Sequence, residues 1–455
     1  MKTLTPERLR DITGGQLTCP EDLLGKEITS IETDSRKVTE GSLFAAFVGE
    51  RVDANAFIPQ VMEKGALLVL TEHPEKASGY PCLAVPSVLE ALQRIARSYL
   101  KVLGTPVISI TGSVGKTSTK ETLAAILSTH FRTLKTPGNF NNDLGLPLTV
   151  FQLREETEMA VLEMGISHFG DMTTLASIAP PDVSVITNIG TCHLEFLGDR
   201  DGVFKAKTEV FDLLKEGGRC VLNGDDDKLR QVTEVKGRKP LFFGLDPSLD
   251  VYADHIVSLG LDGTRCEIHL PDRTFTALIP MPGEHMVRNA LAGCAVAWLY
   301  GLTTEEMVTG LASLESIGGR FHILKKAGLT IIDDAYNANP MSMKASLGVL
   351  RYASGRRVAI LGDMGELGQK EEALHREVGA YLAENAPELL VTAGPLSKAL
   401  ADEAHKSGAT CRIRCFDDTE GLVSALADLI QKDDTVLVKA SHFMHFERVV
   451  EALGQ

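Results

Sequence analysis

Apolar and polar positions follow two rhythms along this chain. Up to about residue 84, short β-like runs ("SLFAAFV" from Ser42, "ALLVLT" from Ala66, "PCLAV" from Pro81) alternate with turns, and one helix is expected near Ile58–Lys64. "SVLEALQRIARSYLKVLG", from Ser87, repeats its apolar residues at helical spacing and leads to Pro106, a connection into a second unit.

From Val107 the pattern becomes strand, turn and helix. Strand-like runs "VISIT", "MAVLEM", "VSVITNI", "CVLN" and "PLFFGL" are interspersed with helical stretches such as "TKETLAAILSTH" and "VFKAKTEVFDLLKE". That alternation predicts a largely parallel sheet covered by helices. Residues 250–280 read instead as hairpins, an appended antiparallel piece. After "GGRF" at 318–321 the alternation resumes with "LTIIDDAYNANP", "RVAILGDM", "ELLVTAG" and "TVLVKASH". The expectation is an α/β protein of three domains: a small α/β domain at 1–84, a connecting helix at 85–105, a central, mostly parallel domain at 106–318, and a Rossmann-like α/β domain at 319–455. The length of 455 residues agrees, being more than one hydrophobic core usually organises.

Composition narrows the function. Hydrophobic residues at 44% and charged residues at 24% are ordinary for a soluble globular protein. The net charge of −15 argues against general nucleic-acid binding and against an anionic membrane surface. The opening "MKTLTPERLRDITGG" lacks the apolar centre of a secretion signal. "ALAGCAVAWLYGL" from Ala290 is too short to span a bilayer and reads as a buried helix. The eight cysteines are scattered, as free thiols of a cytoplasmic protein would be.

Residues 107–122, "VISITGSVGKTSTKET", carry the sharpest chemical signal. An apolar strand enters a glycine turn and a helix begins at its end, so backbone N–H groups and the helix dipole converge on an anion. Thr111, Gly112, Ser113, Val114, Gly115, Lys116, Thr117 and Ser118 form this loop. Its glycines allow close backbone approach, Lys116 reaches toward terminal phosphates, and the Thr117 hydroxyl is placed to ligate Mg²⁺. The general pattern G-x-x-x-x-G-K-[ST] would put its first glycine at 110, which is Ile110; the form here is the more restricted T-G-S-V-G-K-T.

Further candidates follow the loop. Glu163 ends the run "MAVLEMG", and His193 follows "VSVITNI"; both stand at carboxyl ends of predicted strands, the edge where ligands collect in parallel sheets. Lys207 lies on a predicted helix, and its position alone does not separate it from Lys205.

Taken together, T-G-S-V-G-K-T, "LEMG", "NIGTCHLEFLG" with "KAKTEVF", "GEHMVRNALAG", "GGRF" and "IDDAYNANP" resemble the ATP-dependent Mur ligases of peptidoglycan synthesis, over nearly the whole chain. "TPGNFNNDLGLPLT" (136–149), "DDAYNANPMSM" (333–343), "LGDMGELG" (361–368) and "DSRKVTEGSLFAAFVGER" (34–51) resemble the MurF type within that family, and no D-N-P-[RK] motif of the diaminopimelate- or lysine-adding relatives is present. The resemblance implies an N-terminal nucleotide-sugar domain, a central ATP-binding domain and a C-terminal ligase domain. It implies cytoplasmic amide-bond formation between UDP-N-acetylmuramoyl-tripeptide and D-alanyl-D-alanine through an acyl phosphate, by a monomer that neither inserts in a membrane nor binds nucleic acid.

By the same resemblance, Lys116 would stabilise the transferring phosphoryl group, and Thr117 and Glu163 would hold one Mg²⁺. His193 would hold a second, supported by Lys207 as an N6-carboxylysine formed with CO₂. Asn289 would contact adenine, Arg320 the nucleotide and Asp334 the ribose, so the site would be complete only when the third domain closes on ATP. Ser35 and Arg36 would face the uridine diphosphate; Asn139, Asn141 and Asn142 the muramoyl-peptide; Tyr336, Asn337 and Asn339 the place where the third domain meets the substrates. Asn-rich turns that cap their own backbone are the competing account of these polar clusters. Met286 stands where the family usually has Asn, Asn55 lies in a "VDANAF" lacking the usual Gly-His, and Ala440 and His442 replace Gly and a basic residue. Two rivals remain at this level: a related ligase with another acceptor, such as the folylpolyglutamate synthetases that share the short loop, and a nucleotide-dependent switch. The switch reading lacks the N-K-x-D base-reading motif.

Overall fold

The computed structural model describes residues 1, 3–316 and 318–455. Residue 317, within the expected junction of the last two domains, lies outside them. Three sheets organise the described residues. In the first, β1 (Gln16–Thr18), β2 (Ile31–Glu32), β3 (Leu43–Ala46), β4 (Leu68–Thr71) and β5 (Cys82–Ala84) lie in the order β1-β5-β4-β3-β2, parallel except for β1 against β5. The helix Val88–Leu103 follows, started by Ser87, whose side chain accepts from the Glu90 N–H, and ended at Gly104 in the left-handed conformation.

The central sheet holds β6 (Val107–Thr111), β7 (Thr133–Lys135), β8 (Met159–Glu163), β9 (Val183–Ile186), β10 (Arg219–Asn223), β11 (Leu241–Gly244), β12 (Val251–Ser258), β13 (Thr264–Leu270) and β14 (Arg273–Ile279), ordered β14-β13-β12-β11-β10-β9-β6-β8-β7. The antiparallel hairpins expected at 250–280 are present, and they continue the central sheet rather than forming a separate piece. β12 pairs in parallel with β11, and β13 and β14 extend the same sheet antiparallel. β6, β8 and β9 are buried along their whole length, as strands covered on both faces must be. Helix Glu284–Leu299, which contains most of the apolar run from Ala290, is a buried cover of this sheet. It approaches helix Lys116–Leu127 closely, since a Cβ on Gly293 would meet Ile126 Cδ1 at 2.7 Å. The helical stretch around Lys207 divides into Arg200–Thr208 and Val210–Leu213.

The third sheet contains β15 (His322–Lys326), β16 (Leu329–Asp333), β17 (Arg357–Gly362), β18 (Leu389–Ala393), β19 (Arg412–Phe416) and β20 (Thr435–Lys439), ordered β15-β16-β20-β17-β18-β19 and parallel except for β15 against β16. Among the described residues, no helix is long and apolar enough to cross a membrane.

Candidate active site

β6 lies between β8 and β9, so the chain leaves the carboxyl end of β6 where the strand order switches direction. In such sheets the crevice beyond that point is where a ligand fits. The loop between β6 and helix Lys116–Leu127 is held there by the segment after β9. Val114 N–H donates to Asn188 Oδ1 (2.9 Å), and the Val114 carbonyl accepts from Thr187 Oγ1 (2.6 Å) and Asn188 Nδ2 (2.9 Å). Ser113 Oγ accepts from the Gly190 N–H at 2.8 Å. Gly112 has φ +146° and Gly115 φ +84°, and a Cβ on Gly112 would sit 1.9 Å from Thr187 Oγ1. Glycine is required at both points. Lys116 Nζ donates to the Gly112 carbonyl at 2.9 Å, folded over the loop it would share with a phosphate.

The carboxyl end of β8 supplies the acid. Glu163 is 1% exposed; its Oε2 accepts from Thr117 Oγ1 (3.0 Å) and its Oε1 from Asn141 Nδ2 (2.9 Å). Its backbone N–H donates to Thr136 Oγ1 at 2.9 Å. Lys120 Nζ, fully buried, donates to the Thr136 carbonyl (2.8 Å) and lies 3.8 Å from Glu163 Oε2. Lys120 was not singled out from sequence, although its spacing one helical turn after Lys116 is a readable signal.

Around this floor lies a cleft of about 650 Å³, walled by both the central and the third sheet's units. It brings together Ser113, Val114, Gly115, Lys116, Thr117, Ser118, Asn141, Asn142, Glu163, His193, Asn289, Arg320, Asp334, Tyr336, Asn337 and Asn339. Residues some two hundred positions apart in sequence thus face one space, in an arrangement where the third unit already stands over the loop.

Several of these side chains are anchored by protein partners. Asn289 Oδ1 accepts from Thr119 Oγ1 (3.0 Å), and its Nδ2 donates to Met286 Sδ (3.4 Å), so the unusual Met286 serves as acceptor for the neighbouring amide. Asp334 Oδ2 accepts from Ser346 Oγ (2.6 Å) and Lys439 Nζ (2.7 Å). The Arg320 guanidinium stacks 4.1 Å from the Tyr336 ring centroid. Asn142 accepts from the Gly145 N–H and Asn339 caps helix Pro340–Leu350, so turn chemistry holds both even as they line the cleft. His285 also lines the cleft; burial pushes its imidazole down to about 4, while Asp334 opposes that shift.

Other expected residues lie elsewhere. Ser35 and Arg36 are on the first unit, away from the cleft lining: the Ser35 carbonyl accepts from Lys64 Nζ, and Arg36 pairs with Asp34. Asn139, Thr111 and Gly112 are not part of the lining. Asn55 is buried and structural, accepting from Thr71 Oγ1 at 2.6 Å and donating to Asp53. His442 rests edge-on near Tyr336, and Ala440 is buried in the third core.

Lys207 and Lys205 separate clearly. Lys205 places its ammonium 5.7 Å from the Phe169 ring centroid, whereas Lys207 is 1% exposed. Burial pushes the Lys207 ammonium down to about 8, with Lys116 adding repulsion and the Cys192 thiol opposing it. No carboxylate among the described residues pairs with it. A buried lysine inclined to the neutral amine suits CO₂ addition, and the carbamate would turn an uncompensated cation into an anionic oxygen donor.

His193 adopts φ +53°, and its Nδ1 lies 2.6 Å from Glu366 Oε2, an ion-pair contact rather than a well-directed hydrogen bond. The pairing holds the Glu366 carboxyl below the usual range. The donor chemistry is compatible with Mg²⁺ at Thr117 and Glu163, both hard oxygen ligands, while His193 adds a nitrogen. A second group of possible ligands, Asp254, Glu267 and His269 on β12 and β13, is already internally paired, with Asp254 Oδ1 3.0 Å from His269 Nε2.

Comparison with known proteins agrees with this architecture. Residues 110–297 match the Mur ligase middle domain, 319–442 the Mur ligase glutamate ligase domain, and 27–100 the Mur ligase family catalytic domain. UDP-N-acetylmuramoyl-tripeptide–D-alanyl-D-alanine ligase from Bacillus subtilis (strain 168) is 38% identical over 94% of this chain and 93% of its own length. The Escherichia coli (strain K12) protein of the same name is 35% identical over 100% and 99%. A crystal structure of MurF from Acinetobacter baumannii superimposes with a TM-score of 0.90 at 34% identity, covering 99% of both chains. MurF from Thermotoga maritima in complex with ADP gives 0.83 at 32% identity, covering 94% of this chain and 97% of that one. The chain belongs to the Mur ligase family.

Proposed function

We propose that this protein joins D-alanyl-D-alanine to the terminal carboxylate of UDP-N-acetylmuramoyl-tripeptide at the expense of ATP, giving the pentapeptide, ADP and phosphate, as a cytoplasmic monomer. The observation that carries the reading is the single cleft in which the phosphate loop, Glu163 and His193 of the central unit meet Arg320, Asp334 and Tyr336 of the third. Relatives of that name match over essentially the full length of the chain.

A carboxylate is a poor electrophile. Transfer of the γ-phosphoryl group of ATP to one of its oxygens creates a leaving group. The dipeptide amine attacks the acyl carbon, a proton leaves the nitrogen, and the tetrahedral adduct expels phosphate to leave an amide. The protein contributes position and compensation of moving charge. The N–H groups of residues 113–118 cradle the phosphates, with Lys116 swinging from the Gly112 carbonyl to the transferring group. Thr117 and Glu163 would hold one Mg²⁺, and His193 with carbamylated Lys207 a second; such ions would supply neutralisation of phosphate charge. Asn289 and His285 would border the adenine, Asp334 the ribose, and Arg320 the phosphates. Ser35 and Arg36 on the first unit would receive the uridine diphosphate, with residues 1–84 as its domain, 106–318 as the ATP domain and 319–455 as the D-alanyl-D-alanine side. Asn139, Asn141 and Asn142 would guide the peptide toward Glu163, and Tyr336, Asn337 and Asn339 the incoming dipeptide.

The deciding experiment follows phosphate release from ATP and product mass in the same tubes. Turnover should require both UDP-N-acetylmuramoyl-tripeptide and D-alanyl-D-alanine and yield a product heavier by one dipeptide. Phosphate release independent of both would overturn the reading in favour of a nucleotide switch. Turnover with single amino acids replacing the dipeptide would move the protein to another branch of the family.

A further inference from the structure

The contact between His193 and Glu366 crosses from one sheet's unit to another. His193 follows β9 of the central sheet, and Glu366 lies in the loop after β17 of the third. Both residues hold left-handed backbone, φ +53° and φ +59°, a conformation uncommon outside glycine that His enters more readily than Glu does. Strain of this kind persists where the surroundings enforce it, and it gathers at functional sites. Here the surroundings are visible. Met364 N–H donates to His375 Nε2 (2.9 Å), and His375 Nδ1 stands 2.7 Å from the Glu371 carbonyl, which fixes the buried ring and the start of the loop. Gly365 N–H donates to Ser441 Oγ at 2.9 Å. At the loop's far end Gly368 (φ +60°) lies against the central unit so closely that a Cβ would meet Glu195 Cα at 3.2 Å. The loop is braced at both ends, and its middle residue is presented to His193.

Stability does not account for this arrangement. The Glu366 side chain is 55% exposed, and ion pairs so open to water contribute little. Direction does. With a carboxylate oxygen 2.6 Å from Nδ1, although off the line of a well-directed hydrogen bond, the local negative charge favours a proton on that nitrogen and leaves Nε2 as the lone-pair donor; metal-binding histidines are commonly oriented by a neighbouring carboxylate. No other protein group among the described residues bonds the His193 ring.

We propose that Glu366 is a positioning residue for the reaction: it reaches across the domain junction, fixes the tautomer and orientation of His193, and so makes docking of the third domain and completion of the His193 metal site one event. The proposal rests on His193 acting as a metal ligand. It adds that the site is assembled from two domains, one of which carries no ligand itself.

The test measures Mn²⁺ binding to the full chain in the presence of ADP, by water-proton relaxation, for wild type, Glu366→Ala, Glu366→Gln, His193→Ala and the double variant Glu366→Ala/His193→Ala. Glu366→Ala should weaken the His193-dependent Mn²⁺ site by about 10-fold or more, the range typical for loss of a ligand-orienting carboxylate. Glu366→Gln, which keeps an acceptor oxygen at the same reach, should recover most of that loss. The double variant should bind no worse than His193→Ala, because the two act through one ring. If His193→Ala leaves Mn²⁺ binding intact, the metal reading of His193 fails and this inference fails with it. If His193→Ala abolishes the site while Glu366→Ala leaves it unchanged, or if the two effects add, the ligand reading stands and the positioning role is overturned. A shift in thermal midpoint without a change in Mn²⁺ affinity would likewise reduce Glu366 to a structural contact.

Discussion

Lys439 and Asp334, 105 residues apart in sequence, meet at the wall of the cleft with Lys439 Nζ 2.7 Å from Asp334 Oδ2. The same ammonium donates to the Asn337 carbonyl at 2.9 Å and approaches the Asp334 carbonyl at 3.4 Å. It ties the carboxyl ends of β16 and β20 together and fixes the loop that carries Tyr336, Asn337 and Asn339. Asp334 is thus an acceptor with its own countercharge, held by Lys439 and Ser346 rather than free to swing.

Replacing Lys439 by Met should therefore be costly. The Lys439 side chain is 3% exposed, and its loss leaves Asp334 uncompensated in a confined site, a change of about 3 kcal/mol or more. The expected outcome is a lower thermal midpoint and a raised KM for ATP, with the double change Lys439→Met/Asp334→Asn recovering much of the stability but not the KM. A single variant as stable as wild type would refute the account of the pair.

Gly112→Ala should disable the phosphate loop. The added methyl group would meet Thr187 Oγ1, the hydroxyl that bonds the Val114 carbonyl, and φ +146° disfavours alanine besides. Equilibrium binding of a non-hydrolysable ATP analogue should weaken by about 10-fold or more, corresponding to about 1.4 kcal/mol or more, within the range of strain at such a position. Unaltered binding would mean that the loop does not grip phosphate in this conformation.

The residues that sequence reading reached are those whose signal is local. The phosphate loop is written in consecutive residues, Glu163 ends the buried run of β8, and His193 comes a few residues after the buried run of β9. Buried parallel strands such as β8 and β18 are continuous apolar stretches and were legible for the same reason. Edge strands β15 and β19 were not, because most of their positions are at least partly exposed and their polar residues break the run. β7, short and half-exposed, escaped likewise. Glu366 lies inside the quoted stretch "LGDMGELG", but neither its contact with His193 nor that of Lys439 with Asp334 could be read locally, since each partner comes from a distant segment. The choice between Lys205 and Lys207 needed burial, which helical spacing did not supply.

The stacked pair Arg320–Tyr336 predicts that Arg320→Lys is not a conservative change. A guanidinium 4.1 Å from the ring centroid is planar and held flat, while an ammonium has neither the shape nor the fork of donors to bridge an aromatic face and a phosphate. KM for ATP should rise several-fold in Arg320→Lys, and Tyr336→Leu should produce a similar rise by releasing the guanidinium. Should Tyr336→Leu alter only the KM for the dipeptide, the ring serves that substrate and the stack has no part in holding ATP.

Lys207 gives a prediction with a defined pH window. In buffer stripped of CO₂ the buried amine loses its proton near pH 8 in the folded protein and near 10.5 when unfolded. Between those values the unfolded chain binds more protons, so stability rises with pH across the window. Below about pH 8 both states are protonated and the folded protein bears the whole penalty of the buried charge, about 3 kcal/mol for a shift of that size. Lys207→Met, which fills similar space without charge, should therefore raise the thermal midpoint at pH 7 and lose that advantage progressively toward pH 10. Addition of bicarbonate and Mg²⁺ should stabilise wild type, restore its ligase turnover and leave Lys207→Met inactive, because only the lysine can become a carbamate. A Lys207→Met protein less stable than wild type at pH 7, or wild-type turnover indifferent to bicarbonate, would count against an uncompensated buried ammonium and against its conversion, respectively. The two readouts therefore separate the electrostatic claim from the chemical one.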